Sequence, residues 1–311
     1  VGTKCVHLEE THELVRLIRD LLEWRCPEAV LVTETNVPHE ENLSYLRDGQ
    51  QAHAAYNFTL APLLTFSLLL GTSRQLVRWL RDAEPPPAGA TLINFLGSHD
   101  GIGLRPVEGI LSVEDVRALI DATVQAGGTW SGHVSGEEIH PYEMNVAPAS
   151  LFGMDRLLTG HTLLASLRGV PAYYFPAVEG EPNDLEAAEN EGHNRAINRP
   201  KRTTESRIEA LDDARTSSRD ELIRRLALRQ TISAFHPDAQ QRILDLEDPL
   251  LGIVRGEEPA SVTVIANLGF DATNYVVEEP AFDLLSEQLV HGEVSVAPSE
   301  ILWLSTADIS S

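Results

Sequence analysis

The feature that most restricts the fold of this chain is a strict alternation of strand and helix that stops near residue 237. Short β-rich runs at residues 29–33, 54–58, 92–96 and 169–175 are separated by helical patterns at 62–82, 113–126 and 154–167. Further helical stripes lie at 11–24 and 217–235, with Thr11, Ser112 and Ser218 placed as N-caps. Such alternation predicts a parallel sheet with helical crossovers. The continuous apolar run 29–33 predicts a strand buried on both faces. After His236 the pattern changes to short runs at 243–244, 251–254, 262–266, 275–277 and 301–304, with turns between them. That is the mark of a small antiparallel sheet. The expected organisation is therefore an α/β part over 1–236 and a C-terminal β domain over 237–311. Stretches 127–145 and 176–202 read as long loops, which inside a compact domain are usually functional.

Composition removes several classes of function. With 24 basic against 47 acidic side chains the formal charge is -23, which opposes binding to nucleic acid or to an anionic membrane. The most apolar stretch, 58–70, contains Pro62 and is too short to span a bilayer. Cys5 and Cys26 lack metal-type spacing and fit reduced thiols in a cytoplasmic protein. The chain opens Val-Gly-Thr-Lys without an initiator methionine and enters a helix almost at once, as expected of a chain cut in its middle.

In a parallel α/β fold the chemistry belongs at the carboxyl ends of the strands. Glu34 stands there after the first run, and the His99-Asp100 pair follows the third. Two carboxylates at such ends suit glycosyl transfer, where one protonates the leaving oxygen and another faces a cationic centre. Ordinary polar loop residues, with His99 simply packed, would look the same. Arg195 and Arg199, in HNRAINRPK, are either surface arginines or guanidinia that fix sugar hydroxyls. Other motifs lead nowhere. His7 and His12 lack the HExxH order, His39-Glu40-Glu41 has no second ligand pair, and no metal site is expected. Gly101-Ile-Gly103 is not a dinucleotide fingerprint, Gly127-Gly128 is not a phosphate loop, and Ser98 and Ser166 have no nucleophile elbow.

Several stretches together carry a family resemblance: ETNVPHEEN from Glu34, FLGSHDGIGLRPVEGIL from Phe95, Tyr56-Asn57-Phe58, Leu60-Ala-Pro-Leu63, PYEMN from Pro141 and RAINR from Arg195. They resemble the sucrose phosphorylase-like branch of the α-amylase superfamily of glycoside hydrolases, over essentially the whole chain. The resemblance implies strands five to eight of a (β/α)₈ TIM barrel, a C-terminal half, followed by the small β domain. It implies a retaining double displacement run by three carboxylates. Glu34 is then the general acid/base, Asp100 the transition-state stabiliser, His99 its sugar-binding neighbour and Arg195 a holder of the transferred glucose. The 140–145 stretch, with Tyr142 and Asn145, corresponds to a mobile acceptor loop that binds substrate.

One part of the family pattern is missing. The nucleophilic aspartate of an Arg-x-Asp-Ala motif does not occur in the chain. Its expected place is roughly ten residues before Val1, in an N-terminal half of the barrel that would be this chain's partner. The function implied is phosphorolysis of an α-glucoside to α-glucose 1-phosphate, with inorganic phosphate as co-substrate and no cofactor. PYEMN looks nearer to relatives acting on glucosylglycerate or sucrose 6-phosphate. The alternatives are a hydrolase or transglucosidase of the same superfamily, and a sugar-binding fragment without turnover.

Overall fold

A computed structural model of the protein describes residues 6–135 and 138–306; Cys5 and the opening Val-Gly-Thr-Lys lie outside them. Helix α1 (Glu9–Arg25) leads to β1 (Val32–Thr33), then α2 (His39–Leu43) and β2 (Ala54–Tyr56). Helices α3 (Leu60–Leu70) and α4 (Arg74–Asp82) return the chain to β3 (Thr91–Asn94). Next come β4 (Ile102–Gly103), α5 (Val113–Gln125), β5 (Thr129–Ser135) and β6 (Glu138–Asn145). Helix α6 (Pro148–Ser166) delivers β7 (Val170–Pro171), followed by α7 (Phe175–Val178), α8 (Leu185–Glu191), α9 (Thr204–Ala210) and α10 (Asp213–Thr231). The remaining strands are β8 (Gln241–Ile243), β9 (Leu250–Arg255), β10 (Val262–Asn267), β11 (Thr273–Asp283), β12 (Gln288–Val296) and β13 (Ile301–Ser305).

The alternating part forms a parallel sheet of order β1-β2-β3-β7, in which Ala54 stands opposite both Val32 and Thr91, and Ile93 opposite Val170. The C-terminal strands form an antiparallel sheet of order β12-β11-β13-β10-β9-β8. Both agree with the expected α/β part and the C-terminal antiparallel sheet. No helix among the described residues is long and apolar enough to cross a membrane.

Several local expectations are corrected. The stretch 127–145 is not a loop but a hairpin, β5 and β6, which β4 extends to three strands. Its glycines and Pro141 hid the strands, because the register slips after Ser131 and Gly132 then pairs with Pro141. The helix expected over 62–82 is broken at Gly71, which takes a left-handed φ of 67° and donates its N–H to Ser67 O. Ser112 does cap α5, in a reciprocal capping box with Asp115. Thr11 is not a cap, since α1 already starts at Glu9. Asp212, not Ser218, caps α10 by accepting the Arg215 N–H. The run 29–33 is not buried on both faces: β1 pairs with β2 alone, and Val30 stays 65% exposed. The apolar stripe of α1 is likewise open, with Leu14, Leu17, Ile18 and Leu21 all exposed.

The main core joins the two parts. Leu63, Leu64, Leu163 and Leu164 from α3 and α6 share one cluster with Phe235, Val264 and Trp303. Trp303 Nε1 donates to Ser166 Oγ at 2.9 Å. Around this contact, arginines bind main-chain carbonyls rather than acids. Arg255, fully buried, donates to Ser166 O (2.7 Å), His236 O (2.9 Å) and Gln240 O (3.3 Å). Arg229 donates to Ala165 O and Phe235 O, both at 2.8 Å. Arg156 donates to Leu68 O, Leu268 O and Gly269 O. Burial lowers the pKa of all three guanidinia, that of Arg255 to about 10. The turn 235–240 is thus held from both sides.

Two outcomes follow. Arg255→Leu strands buried carbonyls and is expected to cost about 3 kcal/mol in urea unfolding, with Arg255→Lys a poor substitute because an ammonium cannot fork to separate acceptors. His161, fully buried on α6, has its imidazole pushed down from 6.5 to about 4 by burial. The unfolded chain therefore takes up this proton first as pH falls. The stability tied to it is complete above pH 6.5 and is lost progressively down to about 4, a difference of about 3 kcal/mol. His161→Phe should flatten that acid limb in a series of melts at different pH.

Candidate active site

Glu34 is the first residue after β1, and it is exposed at the carboxyl end of the parallel sheet. The chain leaving β3 stays buried through Phe95 and Leu96, then turns at Gly97, where a side chain would come within 2.5 Å of Pro148 Cγ. Ser98 Oγ accepts the Asp100 N–H at 3.1 Å and fixes the turn that presents His99 and Asp100. Gly101 is required next, because a Cβ there would fall 2.5 Å from Glu143 Cγ and against Met144 O of β6. A Cβ on Gly103 would likewise fall 2.6 Å from the Asn36 side-chain amide. The Gly-Ile-Gly sequence therefore serves close packing of loop on hairpin.

Two parallel strand ends, β1 and β3, thus bring Glu34, His99 and Asp100 together, one ligand-type atom of each lying within 4.8 Å of the others. They line a cavity of ≈ 200 Å³. Its wall is aromatic: Phe95 meets Tyr56 and Phe58 edge-on, with centroids 5.7 and 5.3 Å apart, and Tyr173 and Tyr174 stand across from them. Tyr174 donates to Asn198 O at 2.8 Å, and its phenol is pushed up by burial.

Asp100 is clamped. Arg195 Nη1 donates to its Oδ2 at 2.9 Å and Arg199 Nη2 to its Oδ1 at 2.6 Å. Arg199 Nε also donates to His99 O, and Asn198 Nδ2 to Asp100 O. Behind Arg195 stands Glu143, 3% exposed, which accepts from Nε at 3.1 Å and Nη2 at 2.7 Å in a fork. That hydrogen-bonded carboxylate, with Asp100 adding a weaker pull, holds the Arg195 cation more firmly than usual. The result is a ladder of alternating charge, Glu143–Arg195–Asp100–Arg199. Glu34 makes no hydrogen bond or ion pair among the described residues. Glu34, His99 and Asp100 offer a metal-like grouping, yet both Asp100 oxygens are already taken by guanidinia, whose charge opposes a divalent ion.

Of the residues expected to bind substrate, His99 lines the cavity; Arg195 reaches the group through Asp100 but, like Tyr142 and Asn145, does not line the cavity. Asn145 is fully buried and donates to Ser131 Oγ at 3.1 Å, which fastens β6 to β5. Asn194 Nδ2 donates to the same hydroxyl and so ties the arginine-bearing turn to the hairpin. Tyr142 stands edge-on to His133, with centroids 6.2 Å apart, and contributes a minor electrostatic pull on Arg195. Sequence reasoning missed Glu143 and the direct role of Arg199. The signal for Arg199 was its spacing of four from Arg195, which the one-turn 3-10 helix Asn194–Asn198 converts into two guanidinia on one carboxylate.

No protein-family profile matches the chain. Among curated proteins it is 32% identical over 321 residues to glucosylglycerate phosphorylase of Escherichia coli K12, which covers 97% of this chain and 57% of that protein. It is 35% identical over 283 residues to glucosylglycerate phosphorylase of Allomeiothermus silvanus, covering 86% of this chain and 51% of that one. The chain thus spans about half the length of the curated relatives it matches. Among solved structures, sucrose 6F-phosphate phosphorylase from Thermoanaerobacter thermosaccharolyticum superposes with a TM-score of 0.76 at 18% identity, over 95% of this chain and 57% of that chain. That likeness shows the fold: an α/β part with a C-terminal antiparallel sheet. By sequence, the chain is a relative of the sucrose phosphorylase-like branch of the α-amylase superfamily, matched along nearly its whole length.

Proposed function

We propose that this chain carries the acid/base side of a retaining α-glucoside phosphorylase site, with glucosylglycerate as the favoured donor. The observation that carries the reading is the meeting of Glu34, His99 and Asp100 within 4.8 Å at the ends of parallel strands. Glu34 protonates the glycosidic oxygen while an aspartate from another segment of the longer protein attacks the anomeric carbon. A glucosyl ester forms and the leaving group departs as an alcohol. Asp100, fixed by Arg195 and Arg199, faces the positive charge that develops on the ring. Phosphate then attacks the anomeric carbon of the glucosyl ester, Glu34 takes its proton, and the aspartate leaves as a carboxylate. The product is α-glucose 1-phosphate with configuration retained.

Under this reading the four parallel strands are the fifth to eighth of a (β/α)₈ barrel, and the antiparallel sheet begins a separate domain near residue 237. The open edge of β1 and the exposed stripe of α1 support it, since an absent half barrel would cover both. Tyr142 and Asn145 belong to an acceptor loop that moves toward the donor. The exposed Cys26 thiol fits a reducing cytoplasm.

The test uses the longest native polypeptide containing this chain, supplied with glucosylglycerate and inorganic phosphate. Glu34→Gln is expected to cut formation of α-glucose 1-phosphate by about 10²–10⁴-fold. The loss should be far smaller with α-glucosyl fluoride, whose leaving group needs no proton. Asp100→Asn should impair both donors. Equal rates in parent and Glu34→Gln would sink the assignment. Free glucose released in phosphate-free buffer, with no gain on adding phosphate, would instead select a hydrolase. Residues 1–311 alone are expected to show no turnover.

A further inference from the structure

Neighbouring residues on a strand face opposite sides of a sheet. Tyr56 and Phe95 line the carboxylate cavity, while Asn57 and Asn94, next to them in sequence, line a second cavity of ≈ 270 Å³. Helix α4 covers this space with Trp79 and Leu80, and Pro85 and Pro86 close it further. Gln241, on the first strand of the antiparallel sheet, and Arg168, just before β7, complete the lining.

Its charge is unusual for so acidic a protein. Arg168 in the lining, and Arg229 and Arg255 outside it, form no ion pair among the described residues. Arg229 and Arg255 at least spend their N–H groups on carbonyls. Arg168 does not: its half-buried side chain has no hydrogen bond among the described residues, although its main-chain N–H donates to Gln241 Oε1 and its carbonyl accepts from Asn94 Nδ2. Arg168 and Arg229 both lie close enough to Arg255 to repel it. Arg81, at the rim, is already matched by Asp245 at 3.3 Å. The single acid in the lining, Glu84, is exposed. Among the described residues of a chain with 47 acidic side chains, Arg168 in this lining is left without a carboxylate. An anion from solution is the natural complement.

The remaining lining says what the anion carries. A guanidinium matches the geometry of phosphate. Trp79, Leu80 and Pro85 offer an apolar wall of the kind that accepts the C–H face of a sugar ring, and the Gln241 amide NH₂ has no partner among the described residues. We propose that this cavity binds a phosphate monoester of sugar size, with its phosphate on Arg168 and its ring against Trp79, apart from the Glu34–Asp100 cavity. The site stands independently of the glucosyl-transfer reading.

The test titrates the longest native polypeptide with glucose 6-phosphate, inorganic phosphate and glucose, following heat and tryptophan fluorescence. Saturable binding of glucose 6-phosphate is expected, with a fluorescence change that Trp79→Phe removes. Arg168→Gln should weaken it by at least about tenfold, and Arg168→Lys should restore part of the affinity. Neither substitution touches the main-chain bonds of residue 168, and unchanged melting would confirm the fold. Glucose should not bind at this site. Equal affinity for inorganic phosphate would support the phosphate seat and make the free anion its ligand. Preference for the ester would support the sugar-sized ligand. Arg168→Gln binding both phosphates as tightly as the parent, or no saturable binding of either up to about 10 mM, would overturn the proposal.

Discussion

Everything at the carboxyl end of the parallel sheet depends on how Asp100 is held. Its two oxygens go to two different guanidinia, and one of those is itself seized by the buried Glu143. The ladder fixes the direction of a half-buried carboxylate. It also ties together three distant pieces of chain: the turn after β3, the hairpin strand β6 and the arginine-bearing turn after α8. Gly101 is the mechanical condition for this, since any side chain there would push β6 away from the turn. Glu34 stands outside the ladder. An anchored carboxylate and an unanchored one thus stand side by side at the strand ends, and the proposed division of labour rests on that difference.

The same device, arginine against oxygen, joins the two halves of the chain by other means. At the seam the acceptors are peptide carbonyls, and burial rather than a counter-charge sets the state of Arg156, Arg229 and Arg255. Carbonyl acceptors satisfy the N–H groups and leave the charge unneutralised. The seam is therefore positive in a protein whose formal charge is -23.

Much of this was legible in the sequence, for reasons that can be named. Alternating apolar runs report local periodicity, so the parallel sheet and the change of texture after His236 could be read directly. Glu34 and Asp100 stood out because strand ends are where side chains converge. The hairpin was not legible, since its strands hold Gly132 and Pro141 and depend on pairing across a register slip. Glu143 was hidden for a related reason: its partner, Arg195, is 52 residues away. The stripe on α1 was read correctly as a helix, but periodicity cannot say whether a partner is present to cover it.

The most direct measurement is to trap the glucosyl intermediate and find where it sits. The longest native polypeptide, carrying Glu34→Gln, would be given α-glucosyl fluoride without phosphate and analysed by intact mass and peptide mapping. One glucosyl group is expected, esterified to an aspartate outside residues 1–311. A glucosyl ester on Asp100, or full turnover with no adduct at all, would contradict it.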